Sequence, residues 1–288
     1  MNSLFIFNSD LRLKNNPALS NASLNGSSLT TVFIFNPKKW NNHNESNLKI
    51  AFQIEHLKEL SEKLKNLNIP LKIINANGIE DESKKIIDFV KKNEIQEVFI
   101  NKEYGVNEMQ RDETLQKDLE RMNKKLNIFD SSIFHPDSIK TQSDTFFKVF
   151  TPFSRAFRSK LMSKKIEISE LPKRQEHAIS VSDRIESFKL DKNDQEIFNQ
   201  YEIGEEKALE KLESFIDHKI LNYKENRDFP SLDGTSALSP YLSSGILSSG
   251  QCIFYVFQKY SEDEIGVKTW VNEIIWREFY KYILFHNP

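Results

Sequence analysis

Short apolar runs alternate with longer amphipathic stretches along the first 130 residues. The apolar runs, four or five residues long, predict β-strands at 4–7, 31–35, 71–74, 97–100 and 126–129. Apolar residues recurring every three or four positions predict helices at about 46–67, 81–92 and 107–125, with Ser46 as the N-cap of the first. Strands separated by helices indicate βαβ units, so we expect an α/β fold with a doubly wound parallel sheet.

The pattern changes after this region. Residues 166–194 are polar and poorly periodic, which is typical of a long connector. Beyond residue 202 the pattern is helical only, with helices predicted at about 205–220, 249–260 and 262–285. We therefore expect an α/β domain over residues 1–130, an interdomain connector over 131–200 and the start of an all-α domain over 201–288.

In a parallel sheet, ligands bind beyond the carboxyl ends of the strands. Residues 8–10, 36–37 and 101–103 follow three of the predicted strands and are candidate binding edges. Asp10 and Arg12 either touch a ligand there or form a local ion pair that braces the loop, and spacing alone favours the ion pair. Asn107 and Glu108 either cap the third helix or bind a ligand amide, and spacing alone favours capping.

Length and composition exclude several classes of protein. A chain of 288 residues suggests about two domains, and 38% hydrophobic and 28% charged residues fit a globular protein. Many nucleic-acid-binding proteins carry a strongly positive net charge, whereas the net charge of this chain is −2. Any DNA-binding surface would therefore be a local basic patch. Without a membrane-length apolar run or a signal peptide, we expect a cytoplasmic, monomeric protein with no membrane partner.

The cysteine and histidine pattern does not suggest metal or nucleophilic chemistry. Cys252, the single cysteine, lies in a predicted helix without an activating neighbour and is interpreted as a core thiol. Cysteines and histidines do not cluster, so no metal site is predicted.

The most unusual side chains lie between residues 270 and 280. Helical spacing places four of them on one face, with Trp276 adjacent: Trp270, Glu273, Arg277 and Tyr280. The opposite face is an apolar core stripe of Val271, Ile274, Ile275 and Tyr282. Indole, carboxylate and guanidinium groups together suit the binding of a flat, polar ring better than they suit a core.

A cluster of hydroxyls precedes a predicted helix in the second half. Thr235, Ser236 and Ser239 could form a phosphate cradle with nearby backbone N–H groups. They could equally form an N-cap and a turn, and the cluster alone favours that simpler interpretation.

Five segments together resemble the photolyase/cryptochrome family, and within it the class I branch that acts on cyclobutane pyrimidine dimers. Residues 10–19 are similar to the family signature D-L-R-x-x-D-N-P-A-L, and Asn107-Glu108 and residues 148–153 follow in the family's order. Residues 234–242 resemble the flavin-phosphate loop, and residues 273–280 resemble the most specific motif.

The resemblance implies an α/β antenna domain followed by an all-α FAD-binding domain. Such enzymes are carbon–carbon lyases in which excited, reduced FAD donates an electron to a pyrimidine dimer in DNA, flipped out of the duplex. The flavin-contacting positions match Tyr223, Thr235, Ser236, Leu238, Ser239 and Trp270. The positions that bind the dimer match Glu273 and Trp276, and the positions that face DNA match Arg227, Arg277 and Tyr280. In one branch of the family, the positions that match Asn107 and Glu108 bind a folate antenna, methenyltetrahydrofolate.

Two departures from the family pattern modify this expectation. Ala237 stands where an arginine is common, which removes a charge-assisted contact to the flavin pyrophosphate. The helices that follow the 273–280 motif in the family are absent, so the FAD-binding domain is expected to be truncated and the chain alone to bind FAD weakly or not at all. A cryptochrome-like light sensor and an inactive remnant remain the alternatives to a repair enzyme.

Overall fold

The computed structural model describes residues 2–25 and 28–287, which form one five-stranded sheet and twelve α-helices. The strands are β1 (Asn2–Phe7), β2 (Ser28–Phe35), β3 (Leu71–Asn75), β4 (Glu97–Asn101) and β5 (Lys125–Phe129). The helices are α1 (Pro17–Asn25), α2 (Pro37–Asn42), α3 (Asn47–Asn66), α4 (Ile79–Lys92), α5 (Val106–Arg121), α6 (Phe150–Ser163), α7 (Lys192–Phe198), α8 (Glu205–His218), α9 (Tyr223–Asn226), α10 (Ser239–Ser243), α11 (Ser249–Lys259) and α12 (Ile265–His286).

The sheet is parallel throughout, with the strand order β3-β2-β1-β4-β5. Phe5 on the central strand pairs with Thr31 on one side and with Phe99 on the other. Leu4 and Ile6 belong to a core cluster that includes side chains of α4 and α5. Phe5 and Phe7 point to the opposite face and are buried too, so both faces of β1 are covered. The predicted α/β fold is confirmed.

Local signals explain which elements the sequence predicted and which it missed. Ser46 is the N-cap of α3, as predicted, and its side chain accepts a hydrogen bond from the Lys49 N–H at 3.2 Å. Helix α1 was missed because its buried residues, Ala18, Leu19 and Ala22, give almost no contrast with the serines and asparagines between them. Helix α6 lies in a region where the apolar pattern is weak and was missed as well.

The chain divides into two compact units. The α/β unit comprises Met1–Asp130, Ser169–Glu205 and Ser243–Ile246, and the helical unit comprises Ser131–Ile168, Glu206–Leu242 and Leu247–Pro288. The predicted connector over residues 131–200 is thus shared between the two. Residues 169–191 form no helix or strand, but they belong to the α/β unit: the Asp183 N–H donates to the oxygen of Leu71, the first residue of edge strand β3, at 2.8 Å.

The helical unit contains α6, most of α8, α9, most of α10, α11 and α12. Helix α11 begins at a capping box in which the Ser248 hydroxyl accepts from the Gln251 N–H and the Gln251 side chain accepts from the Ser248 N–H. Helix α12, 22 residues long, is the element against which α6, α9 and α11 pack. It carries most of the candidate site described below.

Candidate functional site

Helix α12 forms because apolar residues recur at three- and four-residue intervals along it. Val267, Val271 and Ile274 are at most 3% exposed and form its core stripe. Trp270 shares that stripe, because its indole is 2% exposed and lies 5.3 Å from the Phe215 ring. The prediction that Trp270 lies on the polar face with Glu273 and Arg277 is therefore wrong.

Glu273 on α12 forms an ion pair with Arg227, the residue that follows α9. Arg227 Nη1 donates to Glu273 Oε1 at 2.6 Å, and the guanidinium lies 5.4 Å from the centre of the Tyr223 ring. The hydrogen bond that Arg227 donates to Glu273 raises the pKa of Arg227, so the guanidinium stays charged. About a third of each side chain is exposed, 33% for Arg227 and 39% for Glu273, so a ligand can reach the pair.

Trp276 lies next to Glu273 on the same face and is stacked against other rings. Its indole is parallel to the Phe150 ring, with 3.6 Å between centroids and 7° between planes. The Tyr280 ring lies 5.7 Å away at 29°, and Tyr280 is 63% exposed. Phe150 is a neighbour that sequence reasoning did not assign to the site, although residues 148–153 form one of the segments that carry the family resemblance.

Arg277 is tied to the helical unit by one strong hydrogen bond. Its Nη2 donates to the Leu242 oxygen in α10 at 2.7 Å, which leaves the side chain half-buried. Cys252 is fully buried, and burial raises the pKa of its thiol to about 12 despite the opposing charge of Arg277. A thiol with this pKa is protonated at neutral pH and does not act as a nucleophile.

Residues 234–239, which carry the hydroxyls of Thr235, Ser236 and Ser239 and are called the hydroxyl loop below, pack closely on α9. A Cβ on Gly234 would lie 2.5 Å from the Asn226 Cβ, so only glycine fits at this approach. Leu238 is 1% exposed and anchors the loop, while Thr235 and Ser239 are exposed and Ser236 is half-buried. Within the described part of the chain, these three hydroxyls have no hydrogen-bond partner. Ala237 adopts a positive φ of 49°.

The structure thus brings the predicted residues of the helical unit together around α9 and α12. Glu273 contacts Arg227, Arg227 lies over Tyr223, and Gly234 of the hydroxyl loop packs on the last residue of α9. No local pattern predicts the Arg227–Glu273 pair, since 46 residues separate the two and they belong to different helices.

A second candidate site is a cavity of about 160 Å³ in the α/β unit. Asn8, Ser9, Asn36 and Glu103 line it, so three of the predicted sheet-edge segments meet there. Its apolar wall is formed by Phe7, Phe33, Ile34 and Trp40. Phe35 packs on Trp40 edge to face, with 4.7 Å between ring centroids.

Charged side chains surround this cavity. Arg111, 6% exposed, donates to Asp112 at 2.8 Å and to Asn8 at 3.0 Å. Glu108 accepts from Lys39 Nζ at 2.9 Å. Burial alone would raise the pKa of Glu108. The charge and the hydrogen bond of Lys39 outweigh this effect, so the pKa lies below its ordinary value.

Asn107 and Glu108 lie in the first turn of α5, but they are not its cap. The N-cap is Gly105, which has no side chain that could accept a capping hydrogen bond. The capping interpretation of Asn107 is therefore wrong, and Glu108 places its negative charge near the positive end of the helix. Glu108 lines the cavity. Asn107, the preceding residue, is half-buried.

Asp10 and Arg12 lie away from the cavity and brace the loop after β1. Asp10 accepts from Asn101 Nδ2 at 2.6 Å and from the Asn8 N–H at 2.7 Å. Arg12 donates to the backbone oxygens of Asn15 and Gly245. Both side chains are at most 3% exposed. Both side chains therefore brace the loop, but the predicted ion pair between them is wrong, because their hydrogen bonds go to backbone and amide groups.

Among the described residues, no group of three or more His, Cys, Asp and Glu side chains is arranged to hold a metal ion. No helix within the described ranges is long and apolar enough to cross a bilayer.

The chain is similar in sequence to known proteins over almost its whole length. The family profile described as DNA photolyase matches residues 3–174. The deoxyribodipyrimidine photo-lyase of Buchnera aphidicola (from Acyrthosiphon pisum) is 33% identical over 99% of this chain and 60% of its own length. That of Vibrio cholerae is 29% identical over 98% of this chain and 61% of its own.

Among solved structures, a class III photolyase from Agrobacterium tumefaciens is 26% identical, with a TM-score of 0.82. The alignment covers 99% of this chain and 59% of that protein. The chain therefore spans about 60% of the length of the relatives it matches. With a family profile that covers more than half of its residues, the chain belongs to the DNA photolyase family.

Proposed function

We propose that the chain takes part in light-driven repair of DNA, by splitting pyrimidine dimers that are flipped out of the strand. One observation carries the proposal: Glu273, Trp276 and Tyr280 lie side by side on the accessible face of α12, next to the ion-paired Arg227. Family membership and relatives named deoxyribodipyrimidine photo-lyase support it.

The proposed roles follow from side-chain chemistry. The indole of Trp276 offers a stacking surface to an unstacked pyrimidine, worth about 1–3 kcal/mol per base. The carboxylate of Glu273 accepts hydrogen bonds from the pyrimidine N–H groups, and its hydrogen bond with Arg227 orients it. Arg227 and Arg277 are the proposed contacts to DNA phosphates, and Tyr280 is a proposed contact to the strand.

The hydroxyl loop fits a phosphate-bearing cofactor such as FAD. Thr235, Ser236 and Ser239 carry hydroxyls that make no hydrogen bond to another residue in the described ranges, and a pyrophosphate can use them as donors. Tyr223, Leu238 and Trp270 are proposed to contact the apolar part of the cofactor. FAD would supply the electron for ring splitting, while the residues of this chain bind and orient the dimer.

The stacking role is tested by binding. We expect the chain to bind a single-stranded oligonucleotide with one thymine dimer more tightly than the undamaged oligonucleotide, as measured by fluorescence anisotropy. Trp276→Ala should weaken dimer binding by about five- to 150-fold. Trp40→Ala, which removes an indole from the α/β unit, should leave the preference intact. An unchanged dimer preference in Trp276→Ala would sink the proposal.

The cofactor role is tested at Ala237. Restoring a cation with Ala237→Arg should tighten FAD binding about tenfold in a fluorescence titration, because a charged donor then faces the pyrophosphate. Ala178→Arg adds the same charge at an exposed site in the α/β unit and should have no effect. Equal affinities in the two variants would contradict the assignment of this loop to FAD.

We propose that the cavity in the α/β unit is where an antenna such as methenyltetrahydrofolate binds, with Asn107 and Glu108 as contacts. The ionised Glu108 in its lining and the aromatic wall near Trp40 support a flat ligand with N–H donors. Glu108→Gln should weaken binding of methenyltetrahydrofolate about tenfold in an absorbance titration. Glu113→Gln, an exposed change on the same helix, is the control, and identical behaviour of the two would exclude this role for Glu108.

We also propose that the chain is a cytoplasmic monomer. Size-exclusion chromatography with light scattering should give the mass of one chain, 33.8 kDa. A mass of two chains would contradict the monomer.

A further inference from the structure

The ring of Phe150 covers one face of the Trp276 indole. The two planes differ by 7° and their centroids are 3.6 Å apart, which is direct face-to-face contact. No pyrimidine can enter between them at this separation. Any base that stacks on Trp276 therefore has to use the face or edge that Phe150 leaves open.

The backbone on both sides of Phe150 is fixed to α12. Three residues before it, the Phe147 N–H donates to the Tyr282 hydroxyl at 2.7 Å. Three residues after it, the buried Phe153 ring packs 4.7 Å from Tyr282 and 5.0 Å from Phe279. Phe150 itself begins α6 and lies 5.7 Å from Phe279, edge to face. These contacts favour a fixed wall over a side chain that moves aside.

We propose that Phe150 is a positioning residue that fixes the plane of the Trp276 indole and reserves its other face for the flipped pyrimidine. The inference rests on the proposed function, because it requires Trp276 to stack on a base. An indole already held in one rotamer loses little conformational freedom when a base binds, so the base gains more of the stacking energy. Phe150 thus acts through Trp276 and needs no contact with DNA.

The test compares a variant that removes the ring with one that keeps it. Phe150→Leu keeps an apolar side chain but loses the stack, and it should weaken binding of a thymine-dimer oligonucleotide about two- to twelvefold. Binding of the undamaged oligonucleotide should not change, because phosphate contacts dominate it. Phe150→Tyr retains the ring and should restore the dimer preference. Phe254→Leu removes a half-buried phenylalanine ring on α11 and serves as the matched control.

The outcomes separate this inference from the function on which it rests. If Trp276→Ala loses the dimer preference and Phe150→Leu keeps it, the positioning role is refuted and the proposed function stands. If neither variant alters the preference, the proposed function fails. Equal weakening of both oligonucleotides by Phe150→Leu would indicate general structural damage and would also refute the positioning role.

A measurement without DNA tests the stack itself. The difference in emission between the wild type and Trp276→Phe isolates the fluorescence of Trp276. In Phe150→Leu, acrylamide should quench this component more strongly than in the wild type, and in Phe150→Tyr equally. Unchanged quenching in Phe150→Leu would show that Phe150 does not cover the indole.

Discussion

At the scale of single residues, the stability of the α/β unit depends on buried polar side chains that form hydrogen bonds with other groups of the protein. Asp10 is 3% exposed and accepts hydrogen bonds from an amide side chain and a backbone N–H. Burial raises its pKa to about 6, against the opposing effects of the Asn101 hydrogen bond and the charge of Arg12. In the unfolded chain the same carboxyl titrates at an ordinary value, about 3.9.

This difference sets a pH dependence with a definite sign. Between about pH 4 and pH 6 the folded protein binds a proton at Asp10 that the unfolded chain has released. The contribution of Asp10 to the free energy of unfolding is therefore greatest below pH 4, falls as the pH rises towards 6, and is constant above that. We expect Asp10→Asn to remove this fall, which amounts to roughly 3 kcal/mol for a shift of about two units.

The measurement is urea unfolding of both proteins at several pH values between 4 and 7. Asp10→Asn should be less stable overall, because its new amide faces the Nδ2 of Asn101, but the stability gap should narrow as the pH rises. Asp88→Asn, an exposed carboxylate on α4, is the control. A constant gap for Asp10→Asn across this range would contradict the raised pKa.

At the scale of elements, single residues decide how closely two segments of the chain can approach each other. Gly245 has φ of +69°, and a Cβ there would lie 1.9 Å from the Ser9 oxygen. Gly245→Ala should lower the free energy of unfolding by more than about 2 kcal/mol, since strain in the backbone adds to the steric clash.

Gly105→Ala is an informative comparison, measured by the same urea unfolding. Its Cβ would meet the Glu108 carboxylate at 2.2 Å, but that group is the far end of a flexible side chain and φ at Gly105 is −72°. We expect this variant to lose less than about 1 kcal/mol. Similar losses in the two variants would show that the backbone approach at Ser9 is not what requires glycine at position 245.

The Tyr282 hydroxyl joins α12 to the segment before α6. It accepts from the Phe147 N–H at 2.7 Å and donates to the Ile139 oxygen at 3.0 Å. Tyr282→Phe leaves both backbone groups without this partner and should cost about 1–3 kcal/mol in the free energy of unfolding. Tyr280→Phe, on the exposed face of the same helix, should change it by less than about 0.5 kcal/mol, and the reverse order would contradict the role of the Tyr282 hydroxyl.

Apolar runs were sufficient to predict the five strands, and apolar periodicity was sufficient to predict α3, α4, α5, α8, α11 and α12, because most of these elements bury apolar side chains. It failed for Trp270, since α12 buries Trp270 as well as Val271, Ile274 and Phe279, and an arc this wide leaves the edge of the polar face undefined. It also could not predict the partners of Glu273 and Trp276. Arg227 and Phe150 come from other elements, and pairing across a fold leaves no trace in local periodicity.

At the scale of the whole molecule, the chain passes between the two units after residues 130, 168, 205, 242 and 246. Residues 1–130 alone therefore lack part of their own unit. In the complete chain, the Leu71 N–H donates to Ser182 Oγ at 3.1 Å and the Ile73 N–H to Asp183 Oδ2 at 2.9 Å, which covers the outer edge of β3.

We expect hydrogen exchange to detect this missing cover. In a fragment of residues 1–130, the amides of Leu71 and Ile73 should exchange much faster than in the complete chain, because their acceptors are absent. The amide of Phe5, in the central strand, should remain protected in both. Equal protection of Leu71 in the fragment and in the complete chain would show that the segment around Asp183 does not stabilise this edge.

The contact between Arg12 and Gly245 has a consequence for biosynthesis. The guanidinium and its backbone acceptor are 233 positions apart, although both belong to the α/β unit. A ribosome that adds about 5–20 residues per second needs on the order of ten to fifty seconds to cover that interval. During this time the strands of the sheet have been synthesised, but Arg12 lacks the backbone oxygen of Gly245 as its hydrogen-bond acceptor. The α/β unit, whose synthesis begins first, is thus complete only after Gly245 has been added.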